Sequence, residues 1–267
     1  MISTCQYFER RIIRSTMYLD IELEYCVFKL ILPMKAAKPL MKPNSSLTIL
    51  LQKIIRLMAG YALYGLGIVM TLNANQGLGP WDVFHQGLAS QLGITIGTAS
   101  QITGAAVVLM DILFNERIGW GTIGNVYFIG FFIDLFMLNN LVPIFENTLA
   151  SYALMFAGMC VIALATFVYL SAQMGAGPRD GLMIALTKRA PLPVGLVRNL
   201  IEFTILAVGY FLGGTVGLGT LFMALGLGRL IQLSFNFFKF DVRQVRHRYV
   251  DEDFARFFTR LKNGKTG

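Results

Sequence analysis

Two aspartates stand in matching surroundings 98 positions apart, in Gly77-Leu-Gly-Pro-Trp-Asp82 and in Gly175-Ala-Gly-Pro-Arg-Asp180. Proline suits the first position of a helix, where its missing N–H is not needed. If Pro80 and Pro178 occupy that position, each aspartate is the third helical residue. A carboxylate there meets free backbone N–H groups and the positive end of the helix dipole. It either starts the helix or holds a cation or proton at an interrupted membrane helix. Gly77, Gly79, Gly175 and Gly177 permit close backbone approach or positive φ, which serves both readings.

Other charges with defined spacing are few. Arg198 and Glu202 are four apart and therefore neighbours on one helix face, early in an apolar stretch. They form a structural ion pair or line a polar path in which Glu202 changes protonation. Arg229 is a lone cation in the last apolar stretch, and Asp134 is the expected partner. Asp111 and His85 read as interfacial polar residues, and Trp81 and Trp120 as interfacial anchors. No nucleophile elbow, H-E-x-x-H or P-loop occurs, so the chain reads as a non-enzyme that binds no ATP. Cys5, Cys26 and Cys160 have no metal-ligand spacing, and no metal or cofactor is expected.

The elements that must position these residues are membrane helices. The chain of 267 residues is 55% hydrophobic and only 14% charged. A soluble domain carries about 25% charged residues. A polytopic protein in a lipid bilayer is expected, not a soluble enzyme. Its charge of +8 is gathered towards the two ends, flanking spans instead of forming a nucleic-acid stripe. Six stretches are long enough to cross: about 50–72, 98–115, 121–141, 149–171, 196–213 and 219–238. Two shorter ones, 80–92 and 178–189, are bounded by Gly and Pro and read as half-helices. With both termini cytoplasmic, every basic connection falls inside and every bare one outside.

The offset of 98 recurs beyond the aspartates: Gly119-Trp-Gly121-Thr122 returns as Gly217-Leu-Gly219-Thr220. This is an internal repeat with no insertion. Three spans per copy is an odd number, so the second copy is expected to run inverted in the membrane, as in many secondary transporters. The fold class expected is all-α transmembrane: six spanning helices as two inverted three-helix repeats, each with a broken or re-entrant half-helix. The divisions are 1–46, a charged, poorly ordered cytoplasmic leader; 47–142 and 143–240, the two repeats; and 241–267, a basic cytoplasmic tail.

The paired G-x-G-P-x-D motifs, V-G-L-V-R-N-L-I-E at Val194–Glu202 and the glycine-rich run Gly213–Thr220 resemble the YitT/YczE-like family of bacterial integral membrane proteins. The resemblance covers about residues 50–240 and implies a multi-pass protein of the bacterial plasma membrane. It supplies no activity. From the residues themselves, the reading is a secondary transporter or channel for a small solute or ion, held near the midplane. Asp82, Asp180, Arg198 and Glu202 are its candidate site. The alternative is a non-transporting scaffold or accessory protein whose basic tails engage a cytoplasmic partner.

Overall fold

The computed structural model describes residues 46–190, 192–240 and 247–253. The expected leader, apart from its last residue, and most of the tail lie outside the described residues. Eight named helices follow in order: α1 (Ser46–Ala74), α2 (Pro80–Leu92), α3 (Ile96–Leu113), α4 (Trp120–Leu138), α5 (Thr148–Ser171), α6 (Pro178–Arg189), α7 (Val194–Phe211) and α8 (Leu218–Phe237). All but α2 and α6 are long and apolar enough to cross a bilayer. The short helices begin at Pro80 and Pro178 as the motifs predict, after extended Gly79 and Gly177. Left-handed Gly93 stops α2, and Thr95 starts α3 by accepting the Thr98 N–H at 3.1 Å.

Helices α1 and α5, the leading helices of the two sequence repeats, form the centre. They approach closely because Gly67 of α1 faces Gly158 and Ile162 of α5, while Gly60 lies on the backbone at Tyr169. Buried Tyr61, Ile68, Ile133, Ile162 and Phe167 fill the space that α1 and α5 share with α4 and α8. The short helices pack on the other repeat's outer helix, α2 on α7 and α6 on α3.

The two repeated motifs lock into one another. The Gly219 N–H donates to the Gln76 carbonyl at 2.7 Å, and the Gly121 N–H donates to the Met174 carbonyl at 2.7 Å. Each G-x-G-P linker is thus held by the G-x-G-T helix start of the other repeat. The chain passes Gly77 and Gly175 at φ of 106° and 133°, with no room for a Cβ against Gly217 or Gly119. The threonines complete the lock. Thr122 and Thr220 take the N–H of Gly119 and Gly217 at 3.3 and 3.2 Å, and the Thr122 hydroxyl donates to the Ala176 carbonyl at 2.7 Å.

The repeats differ at the seam between their last two spans. Gly97 of α3 and Gly130 of α4 lie on each other's carbonyls, so these helices are tightly joined. Their counterparts, Gly195 of α7 and Gly228 of α8, would meet nothing within 4 Å if given a side chain. Among the described residues α7 and α8 share no such packing. The expected Asp134–Arg229 pair is not among the described ion pairs. Asp134 is instead part of the closed seam, accepting from the Thr95 hydroxyl at 2.6 Å and the Gly97 N–H at 2.9 Å. Arg229 is exposed on α8. The physical reason is local: two donors beside Asp134 already stabilise its charge.

Asp134→Ala should therefore lower stability by about 1–3 kcal/mol, the cost of removing a charged acceptor from two donors. Arg229→Gln should change it by less than about 0.5 kcal/mol, as an exposed substitution. Thermal unfolding in detergent checks both. Rescue of Asp134→Ala by Arg229→Gln would restore the ion-pair assignment.

Candidate functional site

The first turns of α2 and α6 face each other inside the protein. The Arg179 guanidinium carbon sits 4.5 Å from the centre of the Trp81 ring, joining the two positions that correspond across the repeat. Trp81 is buried, not an interfacial anchor. Trp120, by contrast, is exposed and donates to Asp253 at 3.0 Å.

Around these tips lies a cavity of about 960 Å³. Asp82, Asp180, Arg198 and Glu202 all line it. Asp82 and Asp180 are the third residues of their helices, as the motifs predict. Neither carboxylate accepts a described hydrogen bond from the helix start. Asp82 Oδ1 is buried without a hydrogen-bond partner, and so is His85 Nδ1; the two are 3.6 Å apart, beyond a hydrogen bond. The pair Arg198–Glu202 is present, with Nε donating to the carboxylate at 3.1 Å. Tyr64 and Tyr169, in edge contact at 6.3 Å, close the wall formed by α1 and α5.

The electrostatics follow from burial. His85 is 1% exposed, and burial pulls its imidazole below the ordinary range, against the raising effect of Asp82. Burial pushes the Asp180 carboxyl up, against the opposing effects of Arg198 and Arg179. No group of three or more His, Cys, Asp or Glu able to hold a metal occurs among the described residues. The site can offer carboxylates, a guanidinium on an aromatic face and phenol hydroxyls to a small polar solute.

Sequence reasoning missed three participants. Asp111 is 2% exposed, because α6 covers it at Gly181. His85 is likewise in the interior, turned inward on α2. The third is the strap formed by residues 247–253. Its backbone donates from Arg248 to Gln173 at 3.0 Å and from Val250 to Ile118 at 2.9 Å. His247 Nδ1 accepts the Gly175 N–H at 3.2 Å, and Arg117 bonds Asp251 at 2.7 Å. The strap bridges the α3–α4 and α5–α6 connections, and His247 and Tyr249 enter the cavity lining. The sequence marked residues 241–267 only as basic; the acidic run Asp251-Glu252-Asp253 was the readable signal.

The family model described as a family of unknown function, DUF6198, matches residues 51–236. The chain belongs to this family. The uncharacterized membrane protein YczE of Bacillus subtilis is 36% identical over 180 residues, covering 66% of this chain and 82% of its own. An uncharacterized protein of Haemophilus influenzae is 36% identical over 185 residues, covering 66% and 81%. The uncharacterized protein YyaS of Bacillus subtilis is 26% identical over 165 residues, covering 61% and 82%. No solved structure matches. Within the family, then, this chain is a YczE-like membrane protein with six apolar helices of spanning length.

The strap responds to acid in a defined direction. His247 has to be neutral to accept from Gly175, and burial lowers its pKa from 6.5. The unfolded or detached strap binds the proton more readily, so attachment is strongest above about pH 6.5 and weakens as pH falls below it. Limited proteolysis should cut the strap faster in mild acid, and His247→Asn should lose that dependence. Equal cutting rates on both sides of this range would contradict the assignment.

Proposed function

We propose that this protein is a secondary transporter or channel for a small polar solute in the bacterial plasma membrane, with both termini cytoplasmic. Its two repeats are inverted three-span units, and α2 and α6 are re-entrant half-helices whose first turns meet at the solute site. The observation that carries this reading is the cavity: residues chosen from both repeats, Asp82 from one and Asp180, Arg198 and Glu202 from the other, line one space. An odd number of spans per repeat supports inversion, because it reverses the second copy. The unequal seams support alternation. Helices α3 and α4 are joined through Gly97 and Gly130, while α7 and α8 keep the matching glycines apart. Exchange of these two arrangements between the repeats would open the cavity to the two sides in turn.

Flux tests this reading. Reconstituted protein is to be screened in proteoliposomes against amino acids, amines, organic anions, sugars and inorganic ions. At least one class should move, and Asp82→Asn or Glu202→Gln should abolish movement in protein that remains folded. Absence of flux in every class would leave the scaffold alternative. Inversion has its own check: cysteines replacing Gly79 and Gly177 should be labelled by impermeant thiol reagents from opposite sides. Labelling of both from one side would end the inverted arrangement.

A further inference from the structure

Asp111 is a buried carboxyl that no other part of the architecture explains. It lies on α3, is 2% exposed, and its Oδ1 has no hydrogen-bond partner. It forms no ion pair among the described residues. Its carboxyl instead rests on Gly181 of α6, where even a Cβ would collide with both oxygens' carbon and Oδ2. It also lines the cavity.

The acidic groups nearest to it offer it no counter-charge. From α6 comes Asp180, and from the α3–α4 connection comes Glu116, both of like charge. The cations nearby are engaged elsewhere. Lys188 holds Glu116 at 2.7 Å, Arg189 donates to the Phe114 carbonyl at 3.1 Å, and Arg117 is held by Asp251. Helix α2 contributes Asp82 and His85 to the same cavity, and on α4 Asp134 is bound to Thr95 and Gly97 at the start of α3. No described donor reaches Asp111. The carboxyl is therefore buried with neither a cation nor a hydrogen-bond donor at Oδ1 among the described residues.

The corresponding seam of the other repeat shows what this one has changed. There Gly209 of α7 lies against the backbone of Val83 and Phe84 on α2, a contact without any titratable group. Asp111 occupies the place of Gly209, and Gly181 the place of Val83. The bulk has moved to the opposite partner and has become an acid. At this level one seam carries no titratable group and the other carries a carboxyl.

We propose that Asp111 is a proton-binding site, loaded when α6 lies on α3 and emptied when the two helices part and water enters. The use of this proton as the coupling ion rests on the transport reading above; the site itself does not. Loading adds one proton from water to the carboxylate, and parting returns it to water on the side then open. The charge change is confined to the α3–α6 seam, which joins the two repeats.

The test is infrared difference spectroscopy of the full-length protein in lipid vesicles, titrated over about pH 5–9, the range reached by buried carboxyls. The wild type should show the carbonyl stretch of a protonated carboxylic acid that disappears with base. Asp111→Asn should lose that band, and Asp111→Glu should keep it at a shifted position. A second readout follows the seam. With Met183→Cys on α6, thiol labelling should accelerate at alkaline pH beyond the change seen when Asp111→Asn is added. No titrating band in the wild type, or a band unchanged by Asp111→Asn, would overturn the site. If Asp111→Asn does not fold, the wild-type titration and Asp111→Glu decide. Identical pH dependence of labelling in both backgrounds would overturn the link to the seam. The band needs no solute, so its loss leaves the cavity reading standing, and failure of every flux assay leaves the band.

Discussion

A bilayer offers no water to backbone groups, so any break in a membrane helix has to be satisfied by protein. Between α1 and α2 the chain is non-helical at residues 75–79, and between α5 and α6 at 172–177; each linker is bonded to a helix start of the other repeat. The carbonyls of Gln76 and Met174 take N–H groups that α8 and α4 cannot satisfy internally, since a helix leaves its first N–H groups free. One hydrogen bond therefore settles two deficits, a stranded carbonyl and an orphan donor. Leaving either buried without a partner costs roughly 1–3 kcal/mol. The exchange is reciprocal, so neither repeat can complete its own interrupted segment.

The rest of the arrangement follows from that exchange. Because the linkers are pinned to the opposite repeat, α2 and α6 start within the protein and point their first turns at each other. Arg179 on Trp81 is the contact that results. The short helices then continue outward onto α7 and α3, which leaves a cavity around the tips instead of a filled core. Most of the apolar packing lies elsewhere, along α1 and α5, where glycines bring two backbones together. The architecture thus separates a dry spine from a polar chamber. Charges concentrate in the chamber because the spine has no place for them.

Much of this was legible in the sequence, for a physical reason. Proline and glycine act locally, so the two short helices were readable to the residue: 80–92 and 178–189 are the observed α2 and α6. Span existence was readable because lipid imposes length and apolarity together, and the observed boundaries differ by only a few residues. Both glycine motifs were visible, yet their mutual docking was not, since nothing in one repeat states which helix start its linker will meet. The same limit explains Asp111 and Asp134. Near the end of an apolar run, Asp111 looks interfacial until Gly181 is known to cover it. Asp134 looked like the partner of Arg229 because their spans hold equivalent places in the two repeats. Its real partners, a hydroxyl and a backbone N–H, carry no charge and give no such signal. The four candidate site residues converge on one cavity because three of them lie in the second repeat beside the tip that meets Trp81, the neighbour of Asp82.

The short helices α2 and α6 meet tip to tip, and the contact between Trp81 and Arg179 measures that meeting. A double-mutant cycle of Trp81→Leu and Arg179→Gln, read by unfolding of the full-length protein in detergent, isolates their interaction from the effects of each change alone. A guanidinium on a buried indole predicts a coupling of about 0.5–2 kcal/mol, with the double variant less destabilised than the sum of the singles. Additive losses within about 0.3 kcal/mol would mean that the tips do not touch, and would contradict the account.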